Sequence, residues 1–234
     1  MPKMFGGWLL VWCLAIGGIQ LAGSNAGAAD PDPALRQGID KYHEGDQQEA
    51  LSLLRGFVIR NYDSPELPRA YLYLARIFQN SGSHRDALLY TGRIPSDQKG
   101  PEALLVEGVS LVATGQEQAG LDLLLKIPPA ELNVDDRVRW TSALADALGR
   151  LGNYLEALTF IQRGADNADG KFLELAHVIL RQRLSPSELA EAAVMFRGTA
   201  IGEDAVLQQA LQAPRKRNLE EAKRLTAAVL QSST

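Results

Sequence analysis

Gly45-Asp46-Gln47-Gln48-Glu49-Ala50, Gly82-Ser83-His84-Arg85-Asp86-Ala87, Gly115-Gln116-Glu117-Gln118-Ala119-Gly120 and Gly152-Asn153-Tyr154-Leu155-Glu156-Ala157 are four versions of one short passage. Each opens on Gly, reaches a small residue five positions later and continues with Leu. The four glycines stand 37, 33 and 37 residues apart. A recurrence of this length points to a repeated supersecondary unit rather than to a single irregular domain.

The residues around the passages agree with that frame. Seven positions before each glycine stand Gly38, Ala75, Gly108 and Ala145, all small. Gly, Ala and Ser make up 64 of the 234 residues, so four small residues there arise by chance roughly once in two hundred trials. The physical reason is steric: two helices approach closely only where one of them lacks bulk. Four positions before each glycine the pattern calls for a large apolar residue and finds Phe78, Leu111 and Leu148, with Lys41 as the exception. Apolar residues recur at helical spacing on both sides of each passage: Tyr71, Leu74 and Phe78; Leu144, Leu148 and Leu151; Leu51, Leu54 and Val58; Leu121 and Leu124; Leu158 and Ile161. Nothing alternates as a strand does. Ser64-Pro65, Ile94-Pro95 and Pro128-Pro129 punctuate the units, and a helix is expected to start after Asp135.

Spacing, small positions and turn glycines together resemble the tetratricopeptide repeat (TPR), a helix–turn–helix unit of about 34 residues. The resemblance covers residues 31–164 closely and 165–231 loosely. It implies an all-α fold, a TPR-like α-solenoid of stacked units, four of them clear. Phe57 to Pro65 followed by Ala70-Tyr71-Leu72-Tyr73-Leu74-Ala75 is similar to the Tol–Pal system coordinator and to outer-membrane assembly lipoproteins, although Tyr62 is followed by Asp63 where those families carry Pro. Arg93 to Ile161, with Ile94-Pro95 and Ile127-Pro128 closing units, resembles the helical part of penicillin-binding-protein activators.

After Gly164 the pattern thins. A helical run is expected from Gly170 through Phe172, Leu175, Ala176 and Ile179, and another from Ser185-Pro186-Ser187, where Pro and Glu188 suit a first turn. If Ala190 and Ala222 continue the small-residue series, residues 165–234 hold two degenerate units ending in a helix from Leu219 to Leu230. The alternative is a non-repeat helical cap.

The start of the chain reads as a targeting segment. Lys3 precedes a mostly apolar run from Met4 to Ala22, and Ala26-Gly27-Ala28 offers small residues at both recognition positions for signal-peptidase cleavage. Residues 1–28 are therefore expected to be a signal peptide, leaving residues 29–164 as four units and 165–234 beyond them. An uncleaved anchor is the rival, weakened by Gly17, Gly18 and Gln20. Lipidation of Cys13 is a third reading, at odds with Trp12 in the preceding position. The expected product is periplasmic, and membrane association follows only if the segment is retained or Cys13 is lipidated.

Composition narrows the function classes. The net charge of -4 gives nucleic-acid binding no electrostatic support. One Cys and three His leave no basis for a zinc or catalytic metal centre. There is no H-E-x-x-H, G-x-S-x-G, P-loop or G-x-G-x-x-G, and Ser96-Asp97-Gln98-Lys99 matches S-x-x-K without its companion motifs. No catalytic residue, cofactor or metal is assigned. His84 is expected on a solvated turn, His177 as a packed core residue, and Arg215-Lys216-Arg217 as a solvated loop. The expected function is a scaffold for an envelope protein or peptide; the alternative is an accessory subunit of wall or outer-membrane biogenesis that binds glycan or lipid.

The resemblance also implies that the first helix of each unit lines a concave face. The inward positions are then Leu35, Ile39, Tyr42 and His43; Arg69, Leu72, Arg76, Gln79 and Asn80; Leu105, Val109 and Val112; and Arg139, Ser142, Asp146 and Arg150. Tyr42, Arg69, Leu72, Arg76, Gln79, Asn80, Arg139, Asp146 and Arg150 form the candidate partner-binding set. On one reading Arg69, Arg76 and Arg139 hold an acidic or C-terminal segment around an apolar strip. On the other, Leu72, Leu105 and Val109 pack between units while Arg76 and Arg150 form internal ion pairs.

Intact-mass measurement on protein from its native envelope tests the export reading. The expected mass is that of a chain beginning at Ala29. A full-length mass contradicts cleavage, and a lipid adduct at Cys13 selects the third reading.

Overall fold

The computed structural model describes residues 32–165, 171–212, 223, 224, 226 and 227. The expected cleavage site and the Arg215-Lys216-Arg217 loop lie outside the described residues. Among those described the chain is helical and has no strand. The helices are α1 (Pro33–His43), α2 (Gln47–Arg60), α3 (Leu67–Asn80), α4 (His84–Thr91), α5 (Pro101–Ala113), α6 (Glu117–Leu124), α7 (Val134–Arg150), α8 (Tyr154–Ala165), α9 (Lys171–Gln182), α10 (Pro186–Met195) and α11 (Ala200–Gln212). None is long and apolar enough to cross a membrane.

The four quoted passages make the same turn four times. Gly45, Gly82, Gly115 and Gly152 have φ of +87°, +77°, +84° and +83°, a region costly for any side chain with a Cβ. In each, the residue after the glycine donates its N–H back across the turn: Asp46 to the Lys41 carbonyl at 3.0 Å, Ser83 to Phe78 at 2.8 Å, Gln116 to Leu111 at 2.9 Å and Asn153 to Leu148 at 2.8 Å. The glycine N–H adds a shorter-range bond, as from Gly45 to Tyr42 at 3.1 Å. This double bond is the Schellman helix ending, which satisfies carbonyls that would otherwise lack partners. It aims the next helix back along the one just finished.

Pairing follows. α1 packs on α2, α3 on α4, α5 on α6 and α7 on α8; each second helix also packs on the first helix of the next pair. The small residues lie where the paired helices meet, and Gly38, Ala75, Gly108 and Ala145 are all buried. A Cβ on Gly38 would stand 2.9 Å from the Leu54 side chain, and one on Gly108 2.8 Å from that of Leu124. The second small series, Ala50, Ala87, Gly120 and Ala157, is buried as well. Lys41, the exception in the apolar series, is half-buried, with its ammonium 2.8 Å from Glu44 and 3.7 Å from Glu49.

One correction concerns a helix end. Asp135 lies inside α7; the cap is Asn133, whose side chain accepts from the Asp136 N–H. The second helices α4 and α6 are short, because Pro95 and Pro128 disfavour helical geometry in the residue before them. Buried Ile94 and Ile127 anchor the chain there, and short 3-10 turns follow at Ser96–Gln98 and Pro129–Glu131. These turns lead the chain to the N-terminal ends of α5 and α7.

The first helices also touch one another, α1 with α3, α3 with α5 and α5 with α7. One buried cluster runs from Leu105 to Ala205, and a second gathers Leu35 to Ile77. Between them lie Ala75, Ala87 and Val106, flanked by Phe78 and Tyr90, which stack with ring centres 5.4 Å apart.

Beyond α8 the arrangement changes. α10 starts as expected at Ser185, in a capping box with Glu188. Ala190, however, does not occupy a second helix paired with α9. α10 packs principally on α11, across a turn with Gly198 at φ +77°, and α9 packs on α8 and α11. Of the expected helix from Leu219 to Leu230, Lys223, Arg224, Thr226 and Ala227 are described; all are helical and exposed.

Close approach gives a sharp contrast between two helical glycines. A Cβ on Gly120 would meet Val112 Cγ2 at 2.6 Å, the Gly108 carbonyl at 2.9 Å and the Val112 N at 3.1 Å, whereas one on Gly149 would meet nothing within 4 Å. Gly120→Ala should destabilise by about 1–3 kcal/mol, and Gly149→Ala should stabilise by about 0.5 kcal/mol. Urea unfolding of the two variants measures both; similar effects would contradict the packing described.

Candidate interaction surface

The first helices α1, α3, α5 and α7 bring the candidate residues together, but much of that face is committed to holding itself. Leu35, Ile39, Leu105 and Val112 are buried in the core, and Val109 packs against it. The apolar strip expected between the arginine groups is therefore closed: these residues pack between helices.

Arg76 is also inside. Its side chain is 11% exposed and its Nη2 donates to Asp136 Oδ2 at 2.9 Å, with Glu102 Oε2 at 3.1 Å. A guanidinium on α3 is thus neutralised by carboxylates on α5 and α7. Burial works against its charge, but Asp136 and Glu102 outweigh that and hold its pKa above the ordinary value. Asp136 accepts a further bond from Asn133 Nδ2 at 2.8 Å, so the residue that caps α7 also orients the ion pair. Arg139 approaches the other Asp136 oxygen at 4.0 Å while its side chain remains 43% exposed. Gln79 is spent in the same way, its Nε2 donating to the Val106 carbonyl at 3.0 Å and to Ser110 Oγ at 3.2 Å.

Toward α1 the face carries rings. Tyr42 and Tyr73 meet edge to face at 5.3 Å, and His43 lies 5.7 Å from Tyr73 with Nε2 3.3 Å from its hydroxyl. Asn80 Nδ2 donates to the Tyr42 hydroxyl at 3.4 Å. Burial, opposed by nearby Arg76, raises the Tyr73 phenol above its ordinary pKa. At the other end Arg150 Nε holds Asp146 at 3.0 Å, both exposed, and half-buried Glu117 lies 3.9 Å from its Nη1. Ser142 turns its hydroxyl onto the Val138 carbonyl at 2.9 Å.

Arg69 is exposed, whereas Leu72 is half-buried and packs against the cluster of Ala75, Ala87 and Val106. Arg69 and Leu72 line a groove of about 500 Å³ at the N-terminal ends of α3 and α5, walled by Pro65, Pro68 and Pro101, floored by Ile94 and rimmed by Gln98, Glu102 and Glu131. Prolines and a short 3-10 turn make these walls stiff. The rim carries one cation and two carboxylates, so this part of the face lacks the net positive charge expected from Arg69 and Arg76.

Tyr73, Glu102, Asp136 and Glu131 were missed by sequence reasoning. The Asn133-x-x-Asp136 start of α7 was the one local signal, since an acid in the first turn after a cap is a recognisable pattern. His177 corrects its expectation: it sits on the outer side of α9, with its Nδ1 2.8 Å from Asp204 of α11 and its side chain 47% exposed. The buried side of that helix is taken by Phe172, Ala176, Ile179 and Leu180. His84 is half-buried at the start of α4, its Nδ1 shielded and without a partner. Lys99 of the S-x-x-K sequence is held by Glu107 at 2.6 Å.

Arg76→Ala strands the Asp136 carboxylate in the interior and should cost about 3 kcal/mol of stability, whereas exposed Arg69→Ala should stay within about 0.5 kcal/mol. Denaturant unfolding distinguishes them, and equal midpoints would contradict a structural role for the buried pair. No family model, curated protein or solved structure matches the chain.

Proposed function

We propose that this chain is an exported TPR-like scaffold, a solenoid of helix–turn–helix units that binds a protein segment in the cell envelope. The observation that carries the reading is the fourfold turn together with what it presents: four first helices in successive contact, with exposed Arg69 and half-buried Leu72 lining a groove. In the TPR arrangement the first helices form the concave binding face, and the groove lies at its edge. Export rests on Lys3, the apolar run and the Ala26-Gly27-Ala28 site.

The groove narrows the partner chemistry. Leu72 and Ile94 offer apolar contact, and the prolines add flat surface without backbone donors. Arg69 together with Glu102 and Glu131 suits a segment with an apolar anchor and charges of both signs. With Arg76 already neutralised, binding centres on Arg69 and the rim, and Arg139 adds a further cation whose side chain is exposed.

A photo-crosslinking residue at Gln98, on the groove, should yield a discrete adduct in cells. The same residue at Leu125, 51% exposed and away from the groove, should not. Arg69→Glu should abolish the Gln98 adduct while leaving the melting temperature unchanged. Equal adducts from both positions, or a Gln98 adduct indifferent to Arg69→Glu, would exclude the groove.

A further inference from the structure

A cavity of about 250 Å³ lies apart from that groove, between α7, the end of α8 and α9. Three rings line it, Trp140, Phe160 and Phe172, together with Arg137 and Arg163. Trp140 and Phe160 meet edge to face at 5.9 Å. The indole N–H of Trp140 is already donated to the Leu124 carbonyl at 2.8 Å, so the ring offers the cavity apolar surface alone. The walls are tightly built: a Cβ on Gly164 would stand 2.7 Å from Thr141 and 3.0 Å from the Phe172 ring.

The arginines set the polarity. Among the described residues neither makes an ion pair with a carboxylate. Arg163 lies over the Phe160 ring at 5.8 Å. Arg137 Nε is shielded from solvent and has no hydrogen-bond partner. A shielded donor left unpaired is costly, and native structures satisfy nearly all of them. Two guanidiniums without a carboxylate partner among the described residues, beside aromatic walls, call for an anion with an apolar body. The volume limits that body. Sites for drug-sized ligands run about 300–1,000 Å³, so this one suits a single ring or branched aliphatic group.

We propose that the cavity binds a small aromatic or branched aliphatic carboxylate, its body against Trp140, Phe160 and Phe172 and its carboxylate on Arg137 and Arg163. The site is separate from the groove and does not depend on the scaffold reading. A free acid and the terminal residue of a peptide share this chemistry.

The test uses the full chain carrying Trp8→Phe and Trp12→Phe, which leaves Trp140 as the fluorescent reporter among the 3 tryptophans. Phenylacetate, phenylacetamide and N-acetyl-Ala-Ala-Phe are titrated in turn. Phenylacetate should change Trp140 emission saturably. The neutral amide should bind about tenfold or more weakly, and Arg137→Gln and Arg163→Gln should each weaken phenylacetate by about tenfold with melting unchanged. Exposed Arg163 guards against a folding failure at Arg137. Tighter binding of the peptide assigns the source to a chain terminus, and equal or weaker binding assigns it to a free acid; both support the site. Equal affinity for acid and amide, indifference to both arginine substitutions, or no saturation up to about 10 mM phenylacetate overturns the proposal.

Discussion

Paired helices in this chain approach so closely that one of them must lack bulk at the crossing, and the rest of the described fold depends on that constraint. At Gly38 and Gly108 the space a Cβ would need is already filled by leucines of the partner helix, at 2.9 and 2.8 Å. Such contact works only if each second helix returns at a fixed angle. The positive-φ glycine between the helices and the Schellman bonds across the turn supply it. Turn and crossing therefore specify each other, and the four pairs come out alike.

Once the pairs are formed, their first helices lie against one another, and the side chains between them decide what the face can do. Two kinds of residue compete for it. Apolar ones such as Leu105 and Val112 are drawn into the core, where burial contributes about 1.5–3 kcal/mol each. Polar ones reach across helices: Gln79 ties α3 to α5, and Arg76 ties α3 to both α5 and α7. A buried ion pair of this kind adds little net stability over an apolar replacement, but breaking it is expensive. Its effect is to fix how α3, α5 and α7 sit, while the side chains of Arg69 and Arg139 remain exposed.

Legibility in the sequence follows the range of each interaction. The turns could be read because their requirement is local: a glycine, and small residues at fixed offsets that any neighbouring unit would also need. Most helices followed from apolar periodicity. The partner of Arg76 could not be read, because Asp136 lies 60 residues away and their meeting depends on how successive units superpose. The alternative of internal ion pairs was legible; which carboxylate closes the pair was not. His177 was misplaced because an apolar helix has two sides, and only the position of α11 decides which side is covered. The pairing of α10 with α11 escaped for a similar reason. Ala190 kept the spacing of the small-residue series, but no turn glycine precedes it, and the glycine that directs a reversal there is Gly198.

The close approach itself is tested most directly by a double-mutant cycle between Gly108 and Leu124, residues on the two helices of the third pair. Gly108→Ala places a methyl where the Leu124 side chain stands, and Leu124→Ala leaves a void. The account predicts strong non-additivity: the added methyl should destabilise the Leu124 protein but be tolerated, or even fill space, in the Leu124→Ala background, with a coupling of about 1 kcal/mol or more. Additive effects, within about 0.3 kcal/mol, would mean that the two helices do not meet at these residues and would contradict the account.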